Sequence, residues 1–181
     1  MRMSAVRSCL VVVDVQERLA PVMADPRKVI EGAARLVRGA KRLSVPVLIS
    51  EQYPRGLGPT MVDVKSVAPE GTIVEKTAFS CMGEPAFAER FAALGRRQAV
   101  IAGIEMHVCV MQTALDLKAL GYEVFVAADA CGSRFVEDEE IARRRMVING
   151  IELVTIEMVL FEWLERAGTP EFKDVSKTLI L

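Results

Sequence analysis

Three residue types able to share one reaction stand where apolar runs of this chain give out. They are Asp14 after CLVVV, Lys76 after TIVE, and Cys109 within GIEMHVCVMQTALDL. A thiolate is the nucleophilic form of cysteine, and a free thiol near neutral pH is mostly protonated, so Cys109 needs help to react. A helix beginning near Cys109 would offer unpaired backbone N–H groups and a partial positive charge that favour the thiolate. Lys76 would add a full positive charge, and Asp14 can take the thiol proton and later return it to a departing amine. His107, the only histidine, is the rival base, although closeness in sequence does not place a base on its nucleophile. Each residue also has a plain structural reading: Asp14 as a loop cap, Lys76 as a solvated cation, Cys109 as a small buried apolar residue.

The elements that would position these groups follow from hydrophobic periodicity. CLVVVD (Cys9 to Asp14) predicts a strand buried on both faces. The next segment predicts a helix with Asp25 as N-cap and Pro26 at its first position, its stripe running Val29, Ala33, Leu36, Val37, Ala40 and Leu43. Further strands are expected at 45–50, 72–76, 98–104, 122–129 and 151–156, with helices at 85–94, 109–120, 137–148 and 159–166 and a short polar tail. The Gly- and Pro-rich loop EQYPRGLGPTMVDV is long enough to suggest a role of its own. Strands alternating with helices predict an α/β fold: a three-layer, doubly wound sandwich on a six-stranded parallel sheet, formed by one domain over 1–181. In such sheets ligands bind beyond the carboxyl ends of the strands, where Asp14, Lys76 and the Cys109 turn all fall.

Composition narrows the function classes. The 181 residues are 51% hydrophobic and 26% charged, which excludes a disordered chain. Acidic and basic residues, 24 against 23, nearly cancel, so nothing points to nucleic acid or an anionic membrane as partner. The apolar run LVVV is too short to cross a bilayer. Four cysteines lie far apart without a CxxC pair, which fits reduced thiols and a cytoplasmic location. The first strand continues VDVQERL with no GxGxxG, against a Rossmann-like, nucleotide-dependent oxidoreductase.

On the motifs VVVDVQ with Asp14, VEKTAFS with Lys76, GIEMHVCV with Cys109 and ADACGSR from Ala128 to Arg134, the chain resembles the isochorismatase-like cysteine hydrolases over nearly all its length. EQYPRGLGPT (Glu51 to Thr60) and the tail EFKDVSKTL look most like the isochorismatase-domain-containing proteins, whose substrates are ill defined. The resemblance implies a triad of Asp14 as base, Lys76 as its charged partner and Cys109 as nucleophile. It further implies a cis peptide between Ile104 and Glu105, with the Glu105 and Cys109 amides forming an oxyanion hole, where one donor is typically worth about 3 kcal/mol of barrier. Nicotinamidases of the superfamily carry an Asp/His/His metal site after the second strand; EQYPRG stands there instead, so no metal site of that type can form. No organic cofactor is implied.

The expected activity is therefore cleavage of a small amide or related C–N bond through a Cys109 thioester. The alternatives are a catalytically silent interaction protein on the same fold and an isochorismatase-type vinyl ether hydrolase, which often lacks the cysteine. Gln52, Tyr53, Phe79, His107 and Arg134 are expected around a small-molecule substrate, and Cys81 at the rim of its pocket. The apolar segment Val110, Met111, Ala114, Leu115, Leu117 suggests contacts between copies in a homo-oligomer.

Overall fold

The longest β-branched run becomes the centre of the sheet. In the computed structural model, which describes residues 1–180, β1 (Ser8–Val13) is buried along its whole length between two parallel neighbours. An unbroken apolar run is what a strand covered on both faces requires. The other strands are β2 (Val47–Gln52), β3 (Ile73–Lys76), β4 (Gln98–Gly103), β5 (Glu123–Cys131) and β6 (Glu152–Val154). Their order is β3-β2-β1-β4-β5-β6, and every neighbouring pair is parallel.

The helices are α1 (Pro26–Arg42), the single turns α2 (Pro54–Leu57) and α3 (Val62–Lys65), α4 (Pro85–Ala93), α5 (Met111–Ala119), α6 (Val136–Ile148), α7 (Ile156–Leu164) and α8 (Pro170–Val175). Alternation along the strands splits the core in two. Leu10, Val12, Ile49, Val100 and Phe125 join α1 and α7, whereas Val11, Val13, Leu48, Ile101 and Val126 join α4, α5 and α6. The expected three-layer doubly wound sandwich is thus formed. Asp25 caps α1 as its sequence predicts, its side chain accepting from the Lys28 amide at 3.0 Å.

Two expectations are corrected. The stripe Val110, Met111, Ala114 and Leu117 lies in the intramolecular core, with α5 packed under the sheet, so it offers no face to another copy. The C-terminal segment is no polar tail: α8 and a further turn (Ser176–Ile180) bury Val175 and Leu179 against the α1 layer. The long Gly- and Pro-rich loop has structure of its own. It contains α2 and α3 and is tied back by Glu51, which accepts from the amide and hydroxyl of Thr60, each at 2.7 Å.

Candidate active site

Strand order decides where the polar groups meet. The chain runs outward from β1 through β2 to β3, then returns to β4 on the other side of β1. The β1/β4 junction is therefore the switch point, where a parallel sheet leaves a crevice at its carboxyl end. Asp14 is the first residue after β1, and the segment carrying Cys109 leaves β4. Asp14 adopts a left-handed conformation (φ 52°), unusual without glycine but tolerated by Asp better than by most residues. The Ile104–Glu105 peptide bond at the exit of β4 is cis.

Lys76 closes β3, two strands away, and bridges the gap with its length. Its Nζ donates to Asp14 Oδ2 at 3.0 Å, to Gln52 Oε1 at 2.6 Å, and to the carbonyls of Ala78 and Phe79 at 3.1 and 2.8 Å. Asp14 Oδ1 accepts from Ser50 Oγ at 2.7 Å. The Asp14 and Lys76 side chains are both fully shielded from water, where a charge is tolerated only with such partners. Burial pushes the Asp14 carboxyl above its ordinary value, while Lys76 and Ser50 pull it back.

Cys109 sits inside a wide, π-type turn (Met106–Val110) that continues into α5, so it is not the first residue of a helix. The expectation of a favoured thiolate is corrected too. Burial first, and then the negative charge of Asp14, raise the thiol, with Lys76 opposing them. The Asp14 and Cys109 side chains interact: the carboxylate raises the thiol, and the thiol's hydrogen bond pulls the carboxyl back down.

The turn is held from behind. Met106 N donates to Gly132 O at 2.8 Å, and Arg134 donates to Glu105 Oε2 through its amide (3.1 Å) and its Nε (3.0 Å). Arg134, proposed from sequence as a substrate anchor, thus has Glu105 as its partner. His107 Nδ1 lies 2.8 Å from Ser133 Oγ and Nε2 lies 3.6 Å from Asp138, so both ring nitrogens face the start of α6. The Glu105 amide has no hydrogen-bond acceptor among the described residues.

Gln52 belongs to the Lys76 network and is half-buried, whereas Tyr53 and Phe79 are 56% and 57% exposed. A cleft of about 330 Å³ runs beside Lys76, lined by Tyr53, Arg55, Glu75, Thr77 and Glu84. Cys81 is corrected: it is fully buried, its amide donating to Thr113 Oγ1 at 2.9 Å, and it lies beneath the polar cluster instead of at a rim. Sequence reasoning missed Ser50 and Gln16. The buried Gln16 accepts from Gln52 N (2.7 Å) and donates to the carbonyls of Gln52 and Gly58 (3.0 and 2.8 Å), joining β1, β2 and the loop. The one signal for it was a polar side chain two residues beyond Asp14 in VVVDVQ. No group of three or more His, Cys, Asp or Glu suited to a metal occurs among the described residues, and no helix there is long and apolar enough to cross a membrane.

A doubly wound parallel sheet with this cluster at its switch point defines an α/β protein whose candidate site lies at the carboxyl ends of its strands. A family model described as the isochorismatase domain matches residues 8–158, and the chain belongs to the isochorismatase family. "Isochorismatase domain-containing protein 2" of Xenopus laevis is 39% identical over 173 residues, 96% of this chain and 83% of that protein. "Isochorismatase domain-containing protein 1" of Salmo salar is 37% identical over 92% of this chain, which spans 58% of that relative's length. Among solved structures, the MAR1 ribonuclease from Caenorhabditis elegans is 36% identical with a TM-score of 0.93, covering 99% of this chain and 92% of its own. The Escherichia coli YcaC gene product, described as an octameric hydrolase of unknown specificity, has a TM-score of 0.93 at 24% identity over 99% of this chain and 91% of its own, a likeness of fold alone.

Proposed function

We propose that this protein is a cysteine hydrolase that cleaves a small amide or related C–N bond. The observation that carries the reading is the buried Asp14 carboxylate, held by Lys76 and Ser50 on one side and interacting with the Cys109 thiol on the other. A thiol kept protonated by its surroundings needs a base at the moment of attack, and Asp14 is the charged acceptor beside it.

In this mechanism Cys109 Sγ bonds to the substrate carbonyl carbon as its proton passes to Asp14. The carbonyl oxygen becomes an oxyanion received by the amides of Glu105 and Cys109. Collapse of the tetrahedral species breaks the C–N bond, and the amine leaves with the proton from Asp14. Water then gives a proton to Asp14 and attacks the thioester carbon. The acid departs, and the sulfur takes the proton back. Lys76 donates to the carboxylate and holds it in line. The exposed rings of Tyr53 and Phe79 suit a small, flat or partly apolar acyl group.

The C. elegans relative is described as a ribonuclease, so RNA belongs in the test beside a panel of small amides. Amine release that disappears in Cys109→Ala, with a wild-type acyl adduct on Cys109 seen by intact-mass spectrometry, supports the reading. RNA cleavage or vinyl ether hydrolysis that persists in Cys109→Ala, or amide turnover indifferent to that change, refutes it. The absence of any turnover with an unacylated Cys109 favours a silent interaction protein.

A further inference from the structure

We propose that a groove between the end of α1 and the C-terminal turn binds a small, soluble organic phosphate with an apolar body. Helix α1 leaves the carboxyl end of β1 and returns to the amino end of β2, so its last turns lie at the sheet edge opposite Asp14 and Cys109. Arg38, Lys41 and Arg42 fall on one face of it at helical spacing. Together with Ser66 and Val67, which follow α3, and the segment from Asp174 to Leu179, they line a groove of about 770 Å³. That volume exceeds the cleft of about 330 Å³ beside Lys76 and lies within the range usual for small-molecule sites.

The charges around the groove set the class of ligand. Arg42 is compensated within the chain, its Nε donating to Asp174 Oδ2 at 2.7 Å and its Nη1 to Glu171 Oε1 at 3.4 Å. Arg38 and Lys41 are exposed and have no ion pair or side-chain hydrogen bond among the described residues. Basic residues in the last turn of a helix complement its dipole, which accounts for Lys41 and Arg42 but neither for Arg38, a turn earlier, nor for the groove. Three cations against the single carboxylate of Asp174 leave two positive charges in excess along the lining. A phosphate monoester supplies close to two negative charges near neutral pH, and the guanidinium fork of Arg38 matches its oxygens.

The rest of the lining argues for more than an inorganic ion. Val175 and Leu179 are buried and Val67 is half-buried, so part of the groove is apolar. The wall they form is fixed before any ligand arrives. Arg35 Nε donates to Leu179 O at 3.0 Å, and Thr178 Oγ1 donates to Asp174 O at 2.8 Å. A preorganised wall lowers the ordering cost of binding.

The test is isothermal titration calorimetry of the intact chain with phenyl phosphate at low ionic strength and about pH 8, where the probe is close to a dianion. Saturable binding with a dissociation constant below about 1 mM is expected. Inorganic phosphate, which gains nothing from the apolar wall, should bind at least about fivefold more weakly, and phenol should give no saturable heat. Arg38→Gln and Lys41→Gln should each weaken phenyl phosphate about threefold or more, and the double variant about tenfold or more. Both positions are exposed, and circular dichroism verifies that the variants fold. A wild type without saturable binding overturns the proposal. So does a folded double variant that binds as tightly as wild type, since the cations then serve only the helix end and solvent. Equal affinity for phenyl phosphate and inorganic phosphate overturns the assignment of an apolar body.

Discussion

The Lys76 ammonium lies 3.0 Å from the Asp14 carboxylate, with both side chains closed off from solvent. Removing two charges from water is costly, so the arrangement persists through the four acceptors around Lys76 and the Ser50 hydroxyl on Asp14. The consequences of cutting this pair differ for stability and for thiol chemistry.

For stability, Lys76→Met leaves a buried carboxylate without its cation. Urea unfolding at neutral pH is expected to show a loss of about 3–5 kcal/mol. Burial already places the folded-state affinity of Asp14 for its proton above that of the unfolded chain. A group raised in this way stabilises while protonated, and that contribution is lost as pH rises through its folded value. Lys76→Met should therefore regain stability relative to wild type as pH is lowered from neutrality. A loss below about 1 kcal/mol, the size of an exposed pair, contradicts the buried geometry.

For thiol chemistry, Cys109 is expected to react first with iodoacetamide, since it is 5% exposed and the other three cysteines are fully buried. The Asp14 charge raises this thiol and the Lys76 charge lowers it. Asp14→Asn should then speed alkylation and Lys76→Met slow it, as peptide mapping by mass spectrometry would show. Amide turnover should nevertheless fall by about 10²–10⁴ in Asp14→Asn, because the base is gone. Slower labelling in Asp14→Asn means that the carboxylate activates the resting thiol, contrary to the field described above.

In alkaline solution the buried thiols should govern stability. Burial pushes Cys81 up to about 11, and Cys9 and Cys131 up to about 12, from an ordinary value near 9.0. Above about pH 9 the unfolded chain has released these protons and the folded chain has not, so unfolding becomes more favourable as pH rises. Each thiol contributes a slope of about 1.4 kcal/mol per pH unit up to its folded value. Denaturant midpoints for wild type should drop steeply between pH 9 and 11, and Cys131→Ala should show a shallower decline. Equal slopes in the two proteins refute the assignment.

At the exit of β4, Gly103 has φ 119°, and a Cβ there would overlap the backbone of Val13 on the neighbouring strand. Gly103→Ala is expected to cost at least about 2–3 kcal/mol by crowding and by the backbone angle. In a chain of this size that lowers the melting temperature by roughly 4–12 °C. An unchanged melting temperature would falsify the tight β1–β4 approach.

The sequence by itself determined the elements and the edge at which they deliver chemistry. Six β-branched runs, the Asp25–Pro26 start of α1 and the alternation of strand with helix are local patterns. The rule that parallel sheets bind at their carboxyl ends then put Asp14, Lys76 and Cys109 on one side.

Only the tertiary structure decided the strand order, and with it the β1/β4 crevice and the span Lys76 crosses to Asp14. It also chose the partners: Ser50 comes to Asp14 by the pairing of β1 with β2, and Gln16 reaches across to Gln52 and Gly58. An apolar stripe reports that something covers it, not what: on α5 the cover is the chain's own sheet. The protonation of Cys109 was equally out of reach of residue types. Its direction depends on how much water is excluded around the sulfur and on which charge stands nearer, and both are properties of the packed molecule.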